Sequence, residues 1–324
     1  MSMPQQSGED FFPIHLEILP LDSIRAFDVF IRVKNAMVLY HSGGDRFTME
    51  VRTNLLSNRI ESVYIRKSDR VIFEKFLAEN LGVILPNPRL STEDRAELAY
   101  NSITSISKTL FETPRSQTIT QYKSAISATM DFVMREQGAM NNLLRITSHD
   151  FTTYIHSVNV GVFAIGLAKA LLGNDSSHNM NELASGFFLH DIGKCSTPLY
   201  VLNKPGPLNT DEWNIMRRHP FDGYKLLEQH NALTPEAKII VMEHHERHNG
   251  KGYPRSLRGD QIHTYSKICL IADVFDALTA VRPYKESKTP FQALQIMKNE
   301  MNSEFDPDFF ARFVLMFSDG KNQK

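Results

Sequence analysis

The sequence predicts a mainly α-helical protein: a C-terminal, all-helical bundle preceded by a small α+β N-terminal domain and a helical connector. Three observations predict it. Period-two alternation of apolar residues is confined to the first ~85 residues, and helical spacing dominates beyond them. Pro86 and Pro88 mark the change. Histidines and aspartates then recur at the ends of predicted helices and on their apolar stripes. A length of 324 residues favours two domains, and a hydrophobic fraction of 42% is ample for buried cores.

In chain order, Ile14, Leu16 and Ile18 alternate with His15 and Glu17, which predicts a strand. Val29, Ile31 and Val33 repeat with period two, and a Gly43-Gly44-Asp45 turn follows residues 37–40. A helical stretch over 48–58 precedes a strand around Val63 and Ile65. Residues 68–81 read as an amphipathic helix stopped by Gly82. This domain, 1–88, carries no metal or phosphate motif, so a regulatory or input role is expected of it. The connector, 89–138, begins at Ser91-Thr92-Glu93-Asp94, with Ala96, Ala99, Ile103, Ile106 and Leu110 on one stripe, and continues in a helix over 121–137. Such a pair could form a homodimer, or its stripe could pack within its own domain.

The remaining residues, 139–324, hold the chemistry. His156 opens a helix with Val160, Phe163, Ala164, Leu167 and Leu171 at helical spacing, ending at Gly173. His190 closes a helix built on Leu183, Ala184, Phe187 and Phe188, and Asp191, Gly193 and Lys194 follow it. His219 precedes Pro220. Thr234 and Pro235 form an N-cap and first helical position for a helix reaching His244-His245, with Gly250 as its stop. Asp273 lies in the apolar segment 268–275, where a carboxylate is costly unless paired or metal-bound.

Imidazole and carboxylate suit Fe, Mn, Zn, Co and Ni, and no cysteine joins the set by pattern, which excludes a Cys-rich structural zinc site. A carboxylate has two oxygens and can bridge two ions. Two ions roughly 3.5–4 Å apart can activate a water and hold phosphate oxygens for in-line attack. Each residue alone has an ordinary alternative: His156 a hydrogen-bonded core histidine, His219 a helix-end residue, His244-His245 surface residues, Asp273 half of an ion pair. Their joint occurrence beside Lys194 favours metal.

These residues resemble the HD-GYP domain, the branch of the HD phosphohydrolase superfamily associated with cyclic di-GMP hydrolysis. The resemblance runs from about 140 to 310, over His156-Ser157-Val158-Asn159-Val160, His190-Asp191-Ile192-Gly193-Lys194 and Arg218-His219-Pro220 with Gly223. It continues through His244-His245-Glu246-Arg247, Gly250-Lys251-Gly252-Tyr253-Pro254 and residues 271–279, closing on Arg282-Pro283-Tyr284. It implies that His156, His190, Asp191 and Asp273 hold one ion, and that His219, His244 and His245 hold a second, bridged by Asp191, with iron or manganese as the usual metals. It implies that Lys194 contacts the scissile phosphate and that Asp191 and Lys194 carry catalysis. Arg282, Lys285 and Tyr253 would bind substrate, Arg282 and Lys285 having a helix-end surface charge as their alternative. Asp276, one turn beyond Asp273, would orient a ligand histidine. Some members carry a third-metal glutamate four residues before the first histidine. Thr152 stands there, so two metals are expected, and pGpG as main product with slower onward breakdown to GMP. The Gly252-Tyr253-Pro254 loop would line the substrate cleft and dock GGDEF-domain proteins, within a basic rim of Arg247, Lys251, Arg255 and Arg258.

A net charge of −1 argues against binding long nucleic acid, which needs a broad basic face. Residues 1–10 are polar and acidic, so no signal peptide is expected, and no apolar run suggests a membrane span. Cys195 and Cys269 read as small, buried, reduced residues of a cytoplasmic protein. The expected function is therefore metal-dependent hydrolysis of cyclic di-GMP. A catalytically weak cyclic di-GMP sensor or GGDEF-docking module, and an HD hydrolase of another nucleotide, are the alternatives.

Overall fold

The computed structural model describes residues 10–23, 25–148, 152–173, 175–281 and 287–317. The chain forms two compact units, Met1–Ser102 and Ile103–Lys324. In the first, strands β1 (Phe11–His15), β2 (Val29–Val33), β3 (Ala36–His41) and β4 (Ser62–Arg66) form an antiparallel sheet in the order β1-β4-β2-β3. Helix α1 (Met49–Ser57) starts where the Thr48 hydroxyl accepts the Val51 N–H at 3.3 Å. Helix α2 (Arg70–Ile84) sets Phe73, Phe76 and Leu77 into a core with Val29, Val63 and Ile65.

Two expectations fail here, each for a physical reason. The first strand ends at His15, and Leu16–Ile18 form a tight 3-10 turn instead of continuing the alternation. That turn buries Glu17 against Arg52 and Arg89, both at 3.3 Å. Gly82 does not stop α2. Leu81, Ile84 and Leu85 are buried, and their packing carries the helix past the glycine to Pro86, which has no N–H to continue it.

Helix α3 (Thr92–Glu112) contains the division between the units. The second unit continues with α4 (Ser116–Arg135), which begins earlier than residue 121, then α5 (Ala139–Ile146), α6 (Thr153–Leu172) and α7 (Met180–Leu189). Next come α8 (Leu199–Leu202), α9 (Thr210–Met216), α10 (His219–Gln229), α11 (Pro235–Glu243) and α12 (Thr264–Thr279), and finally α13 (Pro290–Glu300) and α14 (Pro307–Met316). Helix α6 is apolar on nearly every face and packs against α7, α12 and α14, as a helix without a polar side must. By length and composition α6 could cross a membrane, contrary to the sequence expectation, yet 72% of its apolar window is buried inside the unit. Phe163 of α6 meets Phe275 of α12 edge-on at 5.0 Å, and Phe275 meets Phe313 of α14 at 5.2 Å.

The apolar stripe of α4, with Tyr122, Ile126 and Val133, is buried, and α4 packs against α7. The Tyr122 ring lies edge-on to Phe188 at 6.2 Å. This face is therefore covered within its own unit. Cys269 is buried, whereas Cys195 is only half-buried.

Candidate metal centre

Each histidine of the set reaches the bundle interior from a different local device. Thr152 caps α6, its hydroxyl accepting the Ile155 N–H at 3.4 Å, and the first turns of that helix carry His156 inward. His190 is the C-cap of α7, and Asp191 starts a 3-10 turn, Ile192–Ser196, that brings Lys194 back over the carboxylate. His219 opens α10, and His244 is the C-cap of α11, which ends at Glu243 and leaves His245 just beyond it. Asp273 and Asp276 lie one turn apart on α12. Gly193 lets two of these segments meet. A Cβ there would fall 2.0 Å from the His219 carbonyl oxygen and 2.4 Å from the Gly223 nitrogen, so only glycine fits.

The side chains converge into two overlapping groups, Asp191 with His219, His244 and His245, and Asp191 with His156 and His190. The two carboxylate oxygens of Asp191 face different partners. Oδ1 lies 3.3 Å from His219 Nε2 and 3.7 Å from His244 Nε2. Oδ2 lies 3.5 Å from His156 Nε2 and 3.6 Å from His190 Nε2, and also accepts from the Lys194 ammonium. Asp273 spans the groups as well, with Oδ1 3.1 Å from His156 Nε2 and Oδ2 3.5 Å from His245 Nδ1.

Hydrogen bonding at the far side of each ring fixes which nitrogen is available. His190 Nδ1 donates to the Phe187 carbonyl at 2.8 Å, His219 Nδ1 to Met216 at 2.8 Å, and His244 Nδ1 to Val241 at 3.0 Å. A carbonyl only accepts, so each Nδ1 carries the hydrogen and each Nε2 presents a lone pair inward. His156 Nδ1 is held by the Asp276 carboxylate at 2.7 Å, and Asn159 steadies that carboxylate at 2.9 Å. His219 Nε2 and His244 Nε2 then face each other at 3.2 Å, lone pair to lone pair, with Asp191 Oδ1 beside them. A divalent cation would reconcile three acceptors so placed. His190 Nε2 and Asp191 Oδ1 are buried without a hydrogen-bond partner, as atoms awaiting a ligand bond would be.

Electrostatics agree with the geometry. Burial pushes His190 down to about 4 and His219 down to about 3, and holds His245 well below the usual imidazole range, so these rings are neutral donors near pH 7. Burial also opposes charge on His156, but its bonds to Asp273 and Asp276 outweigh this and raise it to about 9. Burial opposes the Asp191 charge too, yet the Lys194 ammonium holds the carboxyl well below its ordinary range. Neutral imidazoles at His190, His219 and His245 beside two carboxylates suit hard or borderline divalent metals such as Fe, Mn and Zn. The residues present fit such ions.

Around this cluster, the Tyr253 ring packs over His245 at 4.7 Å, and the Tyr253–Pro254 peptide is cis. Burial, with Asp273 and Asp191 close by, pushes its phenol upward, so it stays a hydroxyl donor. Gly250 takes a left-handed φ of +76°, while Gly252 is required by close approach, a Cβ there meeting the His245 oxygen at 2.4 Å. The basic rim is smaller than its residue types suggest: Arg247 pairs with Glu304 at 2.8 Å and Arg255 with Glu243. Arg282 and Lys285 lie outside the described residues.

Sequence reasoning missed Glu246. Fully buried, it accepts the Arg255 N–H at 2.6 Å and the Leu257 N–H at 2.9 Å, and so fastens the loop beside the histidines. Its position directly after His244-His245 was the available signal.

The HD domain family matches residues 140–309. A Pseudomonas aeruginosa protein named cyclic di-GMP phosphodiesterase PA4108 is 37% identical over 182 residues, covering 56% of this chain and 43% of that relative. A Vibrio cholerae protein named 3′3′-cGAMP-specific phosphodiesterase 3 is 35% identical over 156 residues, covering 48% of this chain and 33% of that relative. The chain thus spans under half the length of these relatives. The solved structure of Bd1817, a HDG"Y"P protein from Bdellovibrio bacteriovorus, shares the fold with a TM-score of 0.65 at 21% identity, over 95% of this chain and all of that one.

Proposed function

This chain belongs to the HD domain family, and from that premise we propose that it is a metal-dependent phosphodiesterase that opens cyclic di-GMP to pGpG, with slower breakdown to GMP. The observation that carries the reading is Asp191, whose two oxygens face two separate pairs of inward imidazole nitrogens. We assign His156, His190, Asp191 and Asp273 to one ion and His219, His244 and His245 to the other, with Asp191 shared and iron or manganese as the metals. Two ions rather than three are favoured because Thr152 offers a neutral hydroxyl, a poor substitute for a carboxylate ligand, and that hydroxyl caps α6.

Bound divalent ions supply an activated water and neutralise charge on phosphate oxygens. The chain's own groups orient and exclude. Asp191 and Asp273 fix the positions of the imidazoles they face. Asp276 sets the tautomer of His156. Lys194, poised at Asp191, can shift its hydrogen bonding to a phosphate oxygen as charge develops there. Tyr253 closes the side of the cluster next to His245 and presents an O–H to the substrate. Arg282 and Lys285 remain candidates for the substrate phosphate.

The three-part division into an input domain (1–88), connector (89–138) and catalytic domain (139–324) belongs to the same proposal. So do a cytoplasmic location, which fits two free cysteines, docking of GGDEF-domain proteins through the Gly252-Tyr253-Pro254 loop, and a homodimer. The relative named for cGAMP favours a second substrate, 3′3′-cGAMP, at the same site. The test is anaerobic turnover of both cyclic dinucleotides by protein loaded with Fe(II) or Mn(II), with products resolved by chromatography. Formation of pGpG is expected, and the His190→Ala/Asp191→Ala double variant should lose both metal and turnover. Full metal-dependent activity in that variant would falsify the site assignment.

A further inference from the structure

The Tyr253 ring that packs on His245 also lines a cleft of about 340 Å³, together with Arg217, Lys251, Gly252, Pro254 and Ser256. No carboxylate lines it. Other cations nearby are committed, Arg247 to Glu304, Arg255 to Glu243 and Arg218 to Asp222 at 3.7 Å. Among the described residues, neither Arg217 nor Lys251 is paired with an acid, and both are exposed.

Arg217 is nonetheless oriented. One helical turn after Trp213, its guanidinium lies 5.6 Å from the Trp213 ring and 5.7 Å from the Tyr253 ring. Two aromatic faces can hold the planar group without consuming its N–H donors, which leaves them for an incoming anion. Tyr253 therefore touches the histidine–aspartate cluster through His245 and the cationic cleft through Arg217. The two anion-attracting positions are separated by one aromatic ring.

A cyclic dinucleotide carries two phosphates, and the cluster engages one of them. We propose that Arg217 and Lys251 bind the second, non-scissile phosphate, so that the site selects ligands with two anions at this spacing. The inference rests on the cyclic-dinucleotide reading above. It assigns binding to a residue, Arg217, outside the set that the sequence pattern nominated.

The test uses full-length, Mn(II)-loaded protein carrying Arg217→Met or Lys251→Met, which keep the apolar stem and remove the charge. Each is expected to raise the KM for cyclic di-GMP about tenfold, as loss of one charge-assisted contact would, with kcat little changed. Arg217→Lys should recover part of the loss, and the KM difference should shrink as salt is raised. Metal content should match wild type, since neither side chain belongs to the cluster. For bis(p-nitrophenyl) phosphate, which has a single phosphate, KM should shift by a much smaller factor. An unchanged KM for cyclic di-GMP, or an equal rise for both substrates, overturns the subsite and leaves the phosphodiesterase reading standing. Absence of turnover of any cyclic dinucleotide by the wild-type protein overturns both.

Discussion

Asp276 holds the outer nitrogen of His156 and so fixes how that ring is presented. Its Oδ2 receives the His156 Nδ1 hydrogen at 2.7 Å, and its Oδ1 is held by Asn159. Asp276→Asn keeps the shape and removes the charge that favours this tautomer. Metal affinity should fall roughly 10–100-fold, as for other residues that steady a ligand histidine. Titration against a competing chelator reads this directly, and wild-type affinity in the variant would remove Asp276 from the site. The cluster residues were legible in the sequence because two of the pairs are adjacent and Lys194 stands one turn from Asp191. Arg217 and Glu246 were not legible in their roles. A lone arginine or glutamate has many ordinary uses, and only the folded loop shows that one faces Tyr253 and the other holds two backbone N–H groups.

At the scale of elements, the site depends on the 3-10 turn after α7 lying flat against the start of α10. Gly193 makes that contact, with no room for a Cβ beside the His219 carbonyl. Gly193→Ala must therefore part the two segments. The expected cost in stability is about 1–3 kcal/mol, typical of overpacking, and His219 and Asp191 should lose their common focus. Metal content measured after gel filtration should drop in the variant. A folded variant with full metal content would show that the segments give way without moving the ligands. Helix placement here was readable from caps and periodicity, as at Thr234 and Gly173. What eluded sequence reading were places where packing overrode a local signal. Buried Ile84 and Leu85 carry α2 through Gly82, and a 3-10 turn ends the first strand at His15 and buries Glu17.

Over the whole molecule, the two units draw stability from different sources. The side chains that could hold metal belong to Ile103–Lys324, so bound ions would stabilise that unit by linkage, about 2.7 kcal/mol at a hundredfold excess over Kd. In Met1–Ser102 the corresponding polar anchor is Glu17, whose carboxyl burial would raise but Asn87, Arg52 and Arg89 together hold below its ordinary range. With the folded value depressed, the unfolded chain takes up a proton first as pH falls. Glu17 thus contributes its full stabilisation above the unfolded carboxyl value, about 4.3, and loses it as pH drops through the lower folded value. Glu17→Gln should abolish that acid dependence and leave Arg52 buried without its counter-charge, at a cost on the order of 3 kcal/mol near neutrality. Amide hydrogen exchange separates the two sources. Mn(II) should slow exchange in α6, α7, α11 and α12 of the wild-type protein, whereas Glu17→Gln should speed exchange in β1, β4 and α1. If β1 and β4 keep wild-type protection in Glu17→Gln at pH 7, the buried ion pair is not what anchors the first unit.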